Sequence, residues 1–95
     1  MNIIEQLQNT RVKQKKLSLG EIRWACRRGM LELDILLGDF FEQQYLSLNE
    51  TDQDIFQYIL SLPDQDLYEY FMGKRKPEDQ ELERVLKKIC HTLAD

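Results

Sequence analysis

Several residue types are scarce in this chain of 95 residues, which has two cysteines, one histidine, two prolines and four glycines. Two cysteines can form at most one disulfide, whereas small secreted scaffolds usually carry several. Cys26 and Cys90 are therefore expected to be reduced, as small core residues. No apolar run approaches the roughly 20 residues of a membrane span, and the N-terminus lacks the basic and apolar regions of a secretory signal. The sequence predicts a cytoplasmic protein without membrane insertion.

Groups that perform catalysis or bind metals are equally scarce. The single histidine, His91, cannot form a zinc site alone, and no second Cys or His stands at a metal-ligand spacing. Cys90 and His91 are adjacent, so on a helix they point about 100° apart and do not form a nucleophile pair. No glycine-rich motif is present to hold a nucleotide phosphate. We expect no enzyme activity, no metal site and no stably bound cofactor.

Charge is distributed unevenly along the chain. Residues 1–30 carry seven Lys and Arg against two acids, residues 31–72 carry ten acids and no base, and residues 73–95 carry six bases against five acids. The formal net charge of −4 therefore averages over a polarised molecule. A basic N-terminal part could bind nucleic acid, but the long acidic segment beside it would repel phosphates. Mixed charge favours a protein partner instead, because complementary potentials orient protein association.

Apolar residues recur at helical spacing almost throughout, which predicts an all-α, compact five-helix bundle. Residues 1–16 are polar and basic, so we expect a flexible arm there and a single domain over 17–95. The expected helices run over about 19–27, 30–45, 50–61, 65–72 and 77–93. The expected inward residues are Leu19, Ile22, Cys26, Leu33, Leu36, Leu37, Phe40, Phe41, Ile55, Phe56, Ile59, Leu60, Leu82, Val85, Leu86, Ile89 and Leu93. The fourth helix is expected to be short and aromatic, with Leu67, Tyr68, Tyr70 and Phe71.

Helix starts are marked by recognisable capping residues. Ser18 with Glu21 three residues later predicts a capping box at the first helix. Asp64 is expected to cap the fourth helix, and Pro77 is expected to open the fifth. The remaining acids near helix starts, Asp52 among them, are interpreted as ordinary first-turn residues that favour the helix dipole. A paired acid/base site among these carboxylates is a less favoured alternative.

One segment, residues 23–34, does not fit a plain core. Trp24 lies off the inward stripe, three arginines crowd one short helix, and Gly29 stands where two helices join. A purely structural explanation is an ion pair between Arg28 and Glu32, four residues apart. The alternative is a binding surface, because exposed aromatic residues beside arginine are typical of interaction hot spots.

The run from Trp24 to Asp34 resembles the R-G-x-x-E signature of the SdhE family, the FAD assembly factors of succinate dehydrogenase. The similarity covers about residues 18–90. It extends over Phe40-Phe41-Glu42, Tyr45, Leu48, Phe56, Leu62-Pro63-Asp64, Asp66-Leu67 and Lys76-Pro77. The chain departs from the family pattern at Glu21, where relatives often have Arg, at Asp39, where Pro is common, and at Tyr70, where Trp is frequent.

The resemblance implies an assembly chaperone that binds the flavoprotein subunit of succinate dehydrogenase, and in some bacteria that of fumarate reductase. It would promote covalent attachment of FAD to a His of that subunit. The oligomeric state is left open by the sequence, and a monomer is the simplest expectation for a protein that must present one face to a partner. The residues carried over as partner-binding are Arg28, Gly29 and Glu32 at the centre, with Trp24, Arg23, Arg27 and Asp34 beside them. An antitoxin-type regulatory protein or nucleic-acid-binding module is the alternative.

Overall fold

The structure is a computed structural model that describes residues 17–94, so the arm predicted over 1–16 lies outside the described residues. Within them the chain forms five α-helices and one 3-10 turn, without a strand. These are α1 (Leu19–Ala25), α2 (Leu31–Gln44), the 3-10 turn (Tyr45–Ser47), α3 (Glu50–Leu60), α4 (Asp64–Phe71) and α5 (Gln80–Ala94). The all-α, five-helix prediction is confirmed. No helix of this described part is both long and apolar enough to cross a membrane.

Helix α5 packs on α2, α3 and α4, while α2 also contacts α4 and α3 also contacts α1. The rings of Phe40 and Phe56 lie 5.3 Å apart and those of Tyr45 and Phe56 lie 5.5 Å apart, which joins α2 to α3. The inward stripes predicted for α2 and α3 are buried as expected. Apolar periodicity thus identified the faces that form the core.

The inward face predicted for α1 is only partly correct. Ile22 and Cys26 are buried, but Leu19 is 48% exposed. Helix α1 has seven residues and packs mainly on α3, so it buries a narrow line of side chains and leaves its first residue in solvent. On α4, Leu67 is buried whereas the three aromatic residues are half-buried. The side chain of Leu93 lies outside those that the structure describes.

Capping chemistry sets the helix starts. The predicted cap of α1 is confirmed, whereas the predicted cap of α4 and the predicted first residue of α5 are wrong. Ser18 and Glu21 form the predicted capping box. At α4 the N-cap is Pro63 and Asp64 is already helical, without a side-chain cap. Helix α5 begins at Gln80 and not at Pro77, because the Asp79 carboxylate accepts the backbone N–H groups of the first turn at 2.8 and 3.0 Å. The Asp79 carboxylate thus satisfies two of the N–H donors that the first turn of α5 leaves free.

Asp52 is not an ordinary first-turn residue, contrary to expectation. Asn49 caps α3, and the Asp52 carboxylate is 2% exposed and faces α5. It accepts hydrogen bonds from both terminal nitrogens of Arg84, at 2.7 and 3.0 Å, and from Lys88 at 3.2 Å. The Arg84 hydrogen bonds, followed by that of Lys88, hold the pKa of Asp52 below its usual range. This ion pair joins α3 to α5.

Candidate functional site

The loop that joins α1 to α2, residues 26–30, turns sharply at Gly29. Its φ of +84° lies in the left-handed region that favours glycine. Met30, the N-cap of α2, offers no side-chain acceptor. Asp34, one turn into α2, contacts the preceding loop: its Oδ1 accepts the backbone N–H groups of Arg28 and Gly29. The loop conformation is thus held by a carboxylate of the helix that it leads into.

The Arg28 guanidinium binds groups from three helix ends and is largely buried, with 14% of the side chain exposed. It donates to the carbonyl oxygen of Ala25 at 3.0 Å, to that of Leu60 at 2.8 Å and to that of Leu62 at 2.7 Å. Its Nε also donates to Asp64 Oδ1 at 2.8 Å. Carbonyls at helix C-termini lack helical partners and carry partial negative charge. Arg28 therefore connects the end of α1 to the α3–α4 junction.

Several side chains in and beside the α1–α2 loop are exposed to solvent. Trp24 is 77% exposed, Leu31 69% and Ile35 40%. Leu31 and Ile35 are neighbours on the outer face of α2, four residues apart. Charged groups and the glycine complete this surface, which we call the α1–α2 surface and which comprises Trp24, Arg27, Gly29, Leu31, Glu32 and Ile35. It combines an indole, two aliphatic side chains and one charge of each sign.

The seven residues predicted as partner-binding occupy two kinds of position. Trp24, Arg23, Arg27, Gly29 and Glu32 are exposed, whereas Arg28 and Asp34 are half-buried and bind groups of this chain. Arg23 pairs with Glu42 of α2 at 2.8 Å, and the hydrogen bond to Glu42 raises the pKa of Arg23. Among the described ion pairs, Arg28 binds Asp64 and not Glu32. The structure therefore gives the arginine of the signature an internal partner that sequence spacing did not indicate.

Sequence reasoning did not select Leu31 and Ile35. A signal was present, since both lie outside the inward stripe of α2 while keeping the four-residue spacing of one helix face. A single exposed leucine is unremarkable in any protein. Two aliphatic residues on one outer face, in the helix that follows Trp24 and Gly29, are more informative.

The described residues offer little reactive chemistry near this surface. Burial raises the pKa of the Cys26 thiol to about 11, so it is protonated at neutral pH and a poor nucleophile. In the range 17–94, no group of three or more His, Cys, Asp and Glu is arranged to hold a metal ion. What the geometry offers is a fixed loop with apolar and charged side chains on its outer side, which suits contact with another protein.

Comparison with known proteins finds similarity over most of the chain. A family model described as flavinator of succinate dehydrogenase matches residues 20–93. The chain is 45% identical over 73 residues to the FAD assembly factor SdhE of Coxiella burnetii, covering 77% of this chain and 89% of that protein. It is 47% identical over 74 residues to the protein of the same name in Photorhabdus laumondii, covering 78% and 84%. For Pseudomonas putida the identity is 43% over 75 residues, covering 79% and 89%.

Proposed function

The chain belongs to the family of succinate dehydrogenase flavinators, and from this we propose that it is an assembly chaperone for the flavoprotein subunit of that enzyme. It binds this subunit in the cytoplasm, as a monomer, and promotes covalent attachment of FAD to it. The flavin and the histidine that receives it belong to the client, so the chaperone itself holds no cofactor and is not an enzyme. The flavoprotein subunit of fumarate reductase is a second client of the same kind.

The observation that supports this proposal is the α1–α2 surface, whose loop is held in one conformation by hydrogen bonds within the chain. Arg28 and Asp34 fix the backbone of residues 28–29 through hydrogen bonds to their own chain. A surface that is ordered before binding loses less conformational entropy when a partner docks. We therefore assign Arg28 and Asp34 to positioning the surface, and its exposed residues to contact with the client.

Each group of the α1–α2 surface has a physical task in that contact. Trp24, Leu31 and Ile35 provide apolar area, and a tryptophan anchor commonly contributes a large share of binding energy. Arg27 and Glu32 lie on either side of Gly29, where the basic and the acidic parts of the chain meet. Opposite charges at such a boundary orient the partner. Gly29 lets the client approach the backbone, because no atom other than those of Gly29 and its two chain neighbours lies within 4 Å of the Cβ position.

The experiment that tests the proposal adds a side chain at Gly29. In a strain that lacks the gene, complementation with Gly29→Arg should fail to restore in-gel flavin fluorescence of the flavoprotein subunit. Apart from Gly29 and its two chain neighbours, no atom lies within 4 Å of the Gly29 Cβ position, so the new side chain starts in open space. The loss should therefore come from blocked contact, and the helical circular dichroism spectrum of the purified variant should be unchanged.

Gly29→Ala is the matched control, because alanine has the same strain at φ +84°, about 1–2 kcal/mol, without the bulk. It should restore most of the flavin fluorescence. Equal loss in both variants, with both folded, would show that backbone strain and not contact is responsible. Normal covalent FAD in the deletion strain itself would refute the chaperone role.

A further inference from the structure

A groove lies between the loop after α4 and the last helix, α5. Its volume is about 250 Å³, and it opens to solvent. Apart from the half-buried carboxylate of Glu83, the buried and half-buried groups that line it are apolar or weakly polar, whereas its exposed groups are mostly basic. The lining residues are Tyr70, Gly73, Arg75, Lys76, Pro77, Glu83, Leu86, Lys87 and Cys90. The groove shares no residue with the α1–α2 surface.

The wall formed by the loop has a defined conformation. Helix α4 ends with Gly73 at a φ of +73°. The Gly73 N–H donates to the Tyr70 carbonyl at 3.2 Å and the Lys74 N–H to the Glu69 carbonyl at 2.9 Å. This is the hydrogen-bond pattern of a Schellman motif. The Arg75 guanidinium lies 4.9 Å from the centre of the Tyr70 ring and 3.0 Å from Asp66 Oδ1. The groove is therefore formed before any ligand binds.

The charge of the groove is positive and partly uncompensated. Arg75 pairs with Asp66 and, more distantly, with Glu69. Lys76 and Lys87 are exposed, and neither takes part in an ion pair among the described residues. Glu83 is the acid of the lining. Two free lysines against one carboxylate leave the groove suited to a ligand with one or two negative charges beside an apolar group.

The size of the groove narrows the class of ligand further. Pockets that bury a drug-sized ligand measure about 300–1,000 Å³, so 250 Å³ accommodates one or two amino-acid side chains and not a whole dinucleotide such as FAD. An extended polyanion such as nucleic acid would run from the lysines onto Asp66 and Glu69, which already pair with Arg75. A short peptide segment meets both the size and the charge requirements.

We propose that this groove is a second docking site, which takes a segment of the flavoprotein client with an apolar side chain next to one or two carboxylates. The apolar side chain lies against Pro77, Leu86 and Cys90, and the carboxylates lie near Lys76 and Lys87. This inference rests on the proposed function. Two docking sites on one chaperone raise the overall affinity, because the second contact forms within the complex.

The test compares binding of the purified flavoprotein subunit to the full chain and to Lys76→Gln/Lys87→Gln, by calorimetry at low salt. An exposed charge pair contributes modestly to binding, so the double variant should bind about 3- to 30-fold more weakly, and added salt should reduce the difference. The control is Thr51→Glu/Gln80→Glu, which makes the same change in net charge at two exposed helix-start positions outside the groove. It should bind like the unmodified chain.

Cys90 provides an independent readout, because it lies in the groove wall and is half-buried, whereas Cys26 is 3% exposed. Iodoacetamide modification, followed by mass spectrometry, should slow at Cys90 at least 5-fold in the complex, with Cys26 unreactive throughout. Unchanged affinity of the double variant together with unprotected Cys90 overturns the groove proposal and leaves the chaperone proposal intact. No binding of the unmodified chain overturns both. Protection of Cys90 by FAD, inorganic phosphate or an oligonucleotide alone would assign the groove to another ligand and overturn the groove proposal. Protection of Cys90 by dimerisation, seen in sedimentation, would overturn it as well.

Discussion

Replacement of Arg28 by methionine separates a positioning role from a contact role for the arginine of the signature. Methionine keeps much of the length of the side chain and removes the five N–H donors of the guanidinium. Four hydrogen bonds are lost, three to carbonyls at helix ends and one to Asp64. If the main task of Arg28 is to hold these elements together, the free energy of unfolding must fall.

The size of that fall follows from the surroundings of the four acceptors. A hydrogen bond to a charged group contributes about 1.5–3 kcal/mol, and four of them would not be additive. The Leu60 carbonyl belongs to a buried residue, whereas Ala25, Leu62 and Asp64 are half-buried and can bind water instead. Removing the buried cation also recovers part of its desolvation cost. We expect a net loss of about 2–4 kcal/mol, which lowers the melting temperature of a domain this small by roughly 10–25 °C.

Thermal and urea unfolding of the purified chain measure this loss, and two further variants sharpen it. Arg28→Lys keeps the charge but cannot reach four separate acceptors, so it should recover less than half of the stability. In a double-mutant cycle with Asp64→Asn, the two changes should be coupled by about 1–2 kcal/mol. Flavinylation measured at about 10 °C, where the variant is still folded, should be reduced less than in Gly29→Arg. A melting temperature within about 2 °C of the unmodified chain, combined with lost flavinylation, would refute the positioning role.

Three further predictions concern other parts of the chain. Because Arg84 lowers the pKa of Asp52, the Asp52–Arg84 ion pair stabilises the fold above pH about 4, and this contribution disappears as the pH falls through the lowered pKa. Asp52→Asn should therefore cost about 1–3 kcal/mol of unfolding free energy at pH 7. The unfolding free energy of this variant should also fall less steeply on acidification. Leu31→Ser/Ile35→Ser should leave the melting temperature within about 3 °C of the unmodified chain, since both side chains are exposed, but it should weaken binding to the flavoprotein subunit. Unchanged binding in calorimetry would show that neither residue contacts the client. Gly38→Ala should raise the unfolding free energy by about 1 kcal/mol, because no atom outside the surrounding backbone of α2 and the two chain neighbours lies within 4 Å of the Gly38 Cβ position. Lower stability in urea would contradict this.

Local sequence patterns predicted most of the fold because they act over a few residues. Three- and four-residue apolar spacing identified the buried faces of α2, α3 and α5, and a serine followed by a glutamate identified the start of α1. The errors also have local causes. A capping aspartate overrode a proline at α5, and a seven-residue helix was too short to bury the face assigned to it.

Which helices the chain forms was thus determined largely by the sequence alone, as was the selection of residues 23–34 as the segment that plain core packing does not explain. The tertiary structure decided what each charged residue in it does. Arg28 meets Asp64 across 36 residues, and Asp52 meets Arg84 across 32. Such pairs depend on how the helices pack, because no local periodicity specifies which charges come within 3 Å of each other. Only the packed bundle shows that Arg28 holds three helix ends together, whereas the side chains beside it are exposed.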